Sequence, residues 1–394
     1  MSEPIVRIAA RGDGVTASGR HAAFAVPGDM LGEDGLLVAG PGHQIPPCRH
    51  FPECGGCQLQ HVSDPSYKDY LRDRISGALA QHGLQTDVRE PYLSLPRTRR
   101  RATLRALKLG KGVALGFNEA KSIQIVDMRE CHILAPELFA LVAPLRGLLA
   151  TILKPKRTAE VQLSLVDQGV DIALKGVEAE GLAAAEALTT FCETNALARL
   201  TVDEGLGPET RYEPVPATVT LSGLAVPFPP GAFQQATRDG EAALVAGVRE
   251  AVAGAGPVAD LFAGLGTFAL ALDGRMYAAE ASRDAVLALK GATALVGRLI
   301  AVEHRDLYRR PLTAKELANF GAVVLDPPRA GAVEQIAQLA ASEVPRIAYV
   351  SCNPATFARD AETLAAGGYR LDWVQPVGQF RWSTHVELVA SFTR

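Results

Sequence analysis

Cys352 stands in Ser351-Cys352-Asn353-Pro354, at the end of an apolar run and just before a helical one. A helix N-terminus at that place lowers a thiol's pKa toward the nucleophilic thiolate. A lone cysteine is more often buried and inert, but Cys352 shares its sheet edge with other motifs. In Asp326-Pro327-Pro328-Arg329 two prolines fix an extended turn, remove backbone donors and hold a carboxylate at the edge of a crevice. Asp260-Leu-Phe-Ala-Gly264-Leu-Gly266-Thr267-Phe268 places a glycine-rich turn between a strand and its helix, where backbone approaches a ligand closely. Gly264, Gly266 and Ala269 also satisfy the loose dinucleotide pattern, so a nicotinamide cofactor and S-adenosylmethionine both remain open. Glu280, at the end of the next strand, suits ribose hydroxyls in either case. Near the carboxyl terminus, Thr384-His385-Val386-Glu387 offers Glu387 as a base, with His385 either orienting it or serving structure.

A second constellation is Cys48-x5-Cys54-x2-Cys57, with Cys131 far downstream. Three close thiolates and a distant fourth close a four-sulfur site, either tetrahedral zinc or an iron–sulfur cluster, and spacing does not decide between them. Cys192 lies outside these motifs and is expected in the core. A third feature is Arg97 to Lys111, seven basic residues without an acid. Such a run neutralises phosphates or forms a solvated face.

The elements that must position these groups follow from periodicity. With 394 residues, 48% hydrophobic and 21% charged, the chain has the composition of a globular protein of two or three domains. A net charge of −3 excludes a uniformly basic nucleic-acid coat. No secretory signal or membrane span is visible, and a cytoplasmic location is expected. Residues 1–46 read as a short β unit around turn signals. A helix starts at Asp64-Pro65, repeats Tyr67, Leu71, Ile75 and Leu79, and stops at His82-Gly83. Residues 47–215 are otherwise mixed: strand-like at Gly112–Phe117, Val161–Leu165 and Val170–Leu174, helical at Pro136–Leu153 and Leu182–Asn195. After a proline-rich zone, residues 216–394 alternate β and α. Strands fit Val258–Phe262, Arg275–Glu280, Leu299–Glu303, Ala322–Asp326, Arg346–Ser351, Leu371–Val377 and Val386–Phe392. This predicts an α/β fold with a doubly wound, mostly parallel sheet and ligands at the strands' carboxyl ends.

Taken together, these residues resemble the RNA uracil-C5 methyltransferase family, in its branch that carries a [4Fe–4S] cluster and modifies 23S ribosomal RNA. The densest matches are Gly231–Gln235, Asp260–Phe268, Leu325–Gly331, Tyr349–Asp360 and Phe380–Glu387. The resemblance implies a Rossmann-like methyltransferase domain over 216–394, an iron–sulfur and central RNA-binding segment over 47–215 whose helix 64–83 docks on the catalytic domain, and a shortened TRAM/OB-like unit over 1–46. It implies that Cys352 attacks C6 of a flipped-out uracil, that C5 takes the methyl group of S-adenosylmethionine, and that Glu387 removes the C5 proton. It places the cofactor against Gln235, Phe262, Thr267, Glu280, Asp306 and Asp326, and the cluster on Cys48, Cys54, Cys57 and Cys131. The partner implied is ribosomal RNA, with a monomer and no obligate protein partner expected. The chain departs from the family pattern at Arg381, where a proline is usual, and at Thr267 and Asp306, where a ribosomal-RNA relative has asparagine.

Other readings differ in what they leave unexplained. Methylation of tRNA uracil is the runner-up, but such relatives generally lack the cluster cysteines. RNA cytosine-C5 enzymes usually carry a cysteine in the Pro-Pro turn as well. A metal-bearing RNA-binding protein with a degenerate catalytic domain sits badly with intact Cys352 and Glu387. A nicotinamide oxidoreductase leaves Cys352 and the four-cysteine set without a role.

Overall fold

The strands of the carboxyl-terminal half are short runs of Ala, Val, Leu and Ile, buried on both faces, as a covered parallel sheet demands. The computed structural model describes residues 2–394, and of Val296 only the backbone. Its largest sheet runs, in spatial order, Ile300–His304, Met276–Glu280, Val258–Leu261, Ala322–Leu325, Arg346–Ser351, Glu387–Thr393 and Arg370–Gly378. The first five are parallel, and Glu387–Thr393 lies antiparallel between its two neighbours. Because side chains alternate across a strand, Ala259, Leu261, Val323 and Leu325 face one core, with Leu71, Ile75 and Phe357. Val258, Val324, Ala348 and Val350 face the other, with Leu244, Val248 and Leu289. This is the doubly wound α/β sheet expected.

The helix Asp64–Gln81 packs on Pro354–Ala366. The two-residue strands Asp87–Val88 and Tyr92–Leu93, which the sequence left undistinguished in the central segment, pair with Arg370–Gly378 and extend the catalytic sheet.

The central segment has its own core and a six-stranded sheet, ordered Pro208–Tyr212, Arg199–Asp203, Gly169–Lys175, Thr158–Val166, Arg101–Leu109 and Gly112–Gly116. The basic run is therefore a strand, with Ala102, Leu104 and Ala106 turned inward. The helical stretch from Pro136 breaks at Leu141 into Pro136–Ala140 and Val142–Ile152. Cys192 is buried in this core, as expected. Five short strands between Glu3 and Val38 make the amino-terminal sheet, around Ile5, Ala25 and Leu31. Among the described residues no helix is long and apolar enough to cross a membrane.

The glycine turn after Val258–Leu261 needs both its glycines, for different reasons. Gly264 (φ +54°) has open space around it, whereas a Cβ on Gly266 (φ +93°) would meet Leu289 Cδ1 at 2.5 Å. Gly264→Ala should cost only the left-handed strain, about 1–2 kcal/mol. Gly266→Ala adds overpacking and should lose about 3 kcal/mol or more. Urea midpoints for the two variants check the order; equal losses would contradict it.

Candidate active site

The carboxyl ends of the parallel strands open into a cavity of about 900 Å³, and every residue singled out above as a catalytic, cofactor or cluster candidate lines it. The strand–turn–helix connections bring them together. Asp326 follows Ala322–Leu325, and Cys352 follows Arg346–Ser351. The two turns are tied together: Asn353 Nδ2 donates to the Arg329 carbonyl at 3.0 Å, and Thr356 Oγ1 donates to the same oxygen at 3.2 Å. Asn353 also caps the helix Pro354–Ala366, its Oδ1 accepting from the Ala355 N–H.

On the cofactor side, Phe262 adopts φ +64°, a strained conformation for an aromatic residue, and its ring packs 5.6 Å from that of Tyr308. Glu280 accepts the Gly264 N–H at 2.9 Å through Oε2 and the Ser282 N–H at 2.7 Å through Oε1. It thereby pins the glycine turn to the next strand. Asp306 accepts from the Tyr308 and Arg309 N–H groups, and Thr267 lines the wall near them. Gln235 is buried, its Nε2 donating to Asp326 Oδ2 at 3.3 Å.

Electrostatics in this crevice is set by desolvation. Burial pushes the Glu387 carboxyl up to about 7, against the opposing pull of the Gln379 amide and Arg101. Asp326 is raised well above the ordinary carboxylate range by burial, then by the negative charges of Glu387 and Asp260. Cys352 differs from the sequence expectation. Burial, with Glu387 and Asp326 close by, pushes its thiol up to about 11, and Arg329 opposes this only in part. The helix N-terminus does not dominate, because desolvation and two carboxyls outweigh a partial charge already engaged by the Asn353 cap.

Three residues that the motifs did not single out for this site border it. Gln379 Nε2 donates to Glu387 Oε2 at 3.0 Å, the place considered for His385, whose ring instead packs 5.7 Å from Phe380. Arg101 stacks over Phe233 at 4.5 Å, and burial lowers its pKa to about 10. Phe233 itself is half-exposed on the cavity wall. Gln379 was legible only as a polar residue at the end of an apolar strand. Arg101 was hidden in a charge run, where its neighbours do other things. Arg100 is buried against Glu241 and the Gln235 carbonyl, and Arg99 stacks on Phe380. Arg381, in the position of the family's proline, grips Asp64 at 2.5 Å and 2.7 Å and so ties the helix Asp64–Gln81 to the loop before Glu387.

The cysteine loop forms another wall. Trp382 O accepts the N–H groups of Gln58 and Leu59, both at 2.9 Å, and Arg129 N–H donates to His50 Nε2 at 2.9 Å. Those bonds bring Cys48, Cys54 and Cys57 to Cys131. All four thiols are free, and each is held up chiefly by burial; neighbouring cysteines add to this at Cys48, Cys54 and Cys57, whereas Arg99 and Arg97 oppose it at Cys131. Backbone N–H groups of His50, Gly56 and Leu134 are directed at the sulfurs of Cys48, Cys54 and Cys131. The donor set, all sulfur with amides aimed at it, fits an anionic sulfur-ligated centre. As placed, no group of three or more His, Cys, Asp or Glu side chains among the described residues could hold a metal ion.

Residues 301–393 match the family model described as tRNA (Uracil-5-)-methyltransferase. An uncharacterized RNA methyltransferase of Zymomonas mobilis is 52% identical over 393 residues, covering 99% of both chains. The 23S rRNA (uracil(1939)-C(5))-methyltransferase RlmD of Thiobacillus denitrificans is 32% identical over 378 residues, covering 89% of this chain and 85% of its own. In fold, the tRNA (uracil-54, C5)-methyltransferase of Pyrococcus abyssi, solved with S-adenosyl-L-homocysteine, superposes with a TM-score of 0.76 over all of both chains at 22% identity. With relatives this similar along nearly its whole length, and a thiol, a carboxylate and a glycine turn meeting in one cavity, the chain belongs to the RNA uracil-C5 methyltransferase family.

Proposed function

We propose that this protein methylates C5 of a uracil in 23S ribosomal RNA, using S-adenosylmethionine and a covalent bond between Cys352 and C6 of the base. The observation that carries this reading is the convergence of Cys352, Glu387 and Asp326 on the cavity that the glycine turn also lines. The RlmD relative supports ribosomal RNA as the substrate class. Uracil C5 is an unreactive alkene carbon, and attack of the Cys352 thiolate on C6 makes it nucleophilic. The C6–S bond forms while the C5=C6 π pair moves toward C5 and the O4 enolate. S-adenosylmethionine, when bound against Gln235, Phe262, Thr267, Glu280, Asp306 and Asp326, would supply an electrophilic methyl carbon: C5 bonds to it as the methyl–sulfur pair passes to the sulfonium sulfur, leaving S-adenosylhomocysteine. Glu387 takes the C5 proton, the C5–H pair becomes the new C5=C6 bond, and the C6–S pair returns to sulfur. The thiol must first lose its proton, and Arg329 and Arg101 are the cations beside the sulfur that favour its anion. The target base must leave its stack to enter. Phe233, half-exposed under Arg101, offers it an aromatic face.

The four cysteines, in this reading, hold a [4Fe–4S] cluster that stiffens the loop between the amino-terminal sheet and the catalytic edge. The support is their donor chemistry and the shared wall. The cluster takes no part in the steps above.

Cys352→Ala should abolish methyl transfer to ribosomal RNA while leaving S-adenosylmethionine binding intact by calorimetry; retained turnover excludes the covalent route. Transcripts of 23S RNA and tRNA, compared by mass mapping of the methylated base, decide the substrate. For Glu387→Gln, a methylated protein–RNA adduct resistant to denaturation should accumulate. In the native chain, release of that adduct requires the ionised carboxylate, so its rate should climb as pH rises through about 7. No adduct in the variant, or a flat native profile, would reject Glu387 as the base. Anaerobically purified protein should absorb broadly near about 400 nm. A colourless sample with stoichiometric zinc would replace the cluster by a metal ion without touching the methylation chemistry.

A further inference from the structure

Gln379 lies eight residues before Glu387 and is buried. Its Oε1 accepts the Ala236 N–H at 2.9 Å. A backbone N–H only donates, so this bond fixes which end of the carboxamide is oxygen and turns the NH2 group the other way. That nitrogen donates to two acceptors, Glu387 Oε2 at 3.0 Å and Gln235 Oε1 at 2.8 Å. The orientation is then passed on. Gln235, accepting through its oxygen, must present its own NH2 group to Asp326 Oδ2, at 3.3 Å.

Packing holds the amide in place. The helix Arg238–Ala251 begins with Thr237 as its cap, and its third residue is Gly240. A Cβ on Gly240 would lie 2.7 Å from Gln379 Cβ and 3.2 Å from its Oε1, so only glycine lets the first turn close on this side chain. Gln379 thus stands between a helix terminus, the segment Gln235–Ala236 and the strand that carries Glu387.

We propose that Gln379 is the positioning residue of this site: held in one orientation by the Ala236 N–H, its carboxamide aims the Glu387 carboxylate and, through the same NH2 group, fixes the face that Gln235 turns toward Asp326. The proposal rests on Glu387 being the base for C5. One side chain thus links the base to a cofactor-side amide across the cavity. The titratable groups facing Glu387 are Arg101, which favours its anion, and Asp326 and Cys352, both of which its charge raises. Removing the Gln379 donor leaves Arg101 as the principal stabiliser of the carboxylate, so its proton should be held more tightly.

Single-turnover kinetics with methyl-labelled S-adenosylmethionine and 23S RNA test this. In Gln379→Met, which keeps length and loses both donors, methylated adduct should form and its release should slow about fivefold at neutral pH, with the midpoint of the release profile raised by about one. Gly240→Ala, which keeps the amide but displaces it, should shift the same midpoint in the same direction. Gln379→Asn, one methylene short with both amide functions kept, gives the same readout should the methionine variant not fold. A folded Gln379→Met protein with native release rate and native midpoint overturns the proposal. Absence of any adduct in Glu387→Gln would instead remove Glu387 as base, a separate outcome.

Discussion

Three carboxyl groups, Asp260, Asp326 and Glu387, share one poorly hydrated region at the carboxyl ends of the central strands, and they cannot all be charged without partners. Burial raises each of them, with Asp260 and Glu387 pushed to about 7 and Asp326 well above its usual range. The protein meets this constraint with neutral donors and one partly buried cation. The Ala269 N–H serves Asp260, the Gln235 amide serves Asp326, and the Gln379 amide, with Arg101, serves Glu387. Neutral donors stabilise a carboxylate less than an ion pair does. They leave Glu387 near the pH at which a base both accepts and returns a proton readily. Burial, with Glu387 and Asp326 adding to it, likewise raises the Cys352 thiol.

The loop from Gln379 to Glu387 ties the surrounding parts to that region. Trp382 receives the cysteine loop through Gln58 and Leu59, Tyr67 donates to the Phe380 and Ser383 carbonyls, and Arg381 holds Asp64. The helix Asp64–Gln81, the cysteine loop and the catalytic strand are therefore fastened to one short stretch of chain. This explains how Arg381 serves in a position where the family usually has proline. The ring would stiffen the turn from within, whereas the guanidinium anchors it from outside, to a carboxylate and to the Ser94 carbonyl. The basic run Arg97–Lys111 is likewise divided. Arg100 is spent on Glu241 and Arg101 on the cavity, while Arg105 pairs with Glu160 near the surface. Fewer of the run's charges therefore face solvent unpaired than its composition suggests.

What the sequence by itself determined is the part that depends on local periodicity and punctuation: the alternation of strands and helices after Val258, the glycine turn, the proline-fixed Asp326, and the placing of Cys352 before a helix capped by Asn353. These follow from backbone preferences that act within a few residues, and the strand ends of a doubly wound sheet converge whatever the details of packing. Tertiary structure alone decided the rest. Asp87–Val88 and Tyr92–Leu93 are too short to carry a pattern, and became strands because the edge Arg370–Gly378 offered hydrogen bonds. Gln379, not His385, reached Glu387, because the register of two antiparallel strands and the first turn of a distant helix place it there. The Cys352 thiol rose instead of falling, since desolvation and neighbouring charge come from residues remote in the chain, and no local rule can sum them.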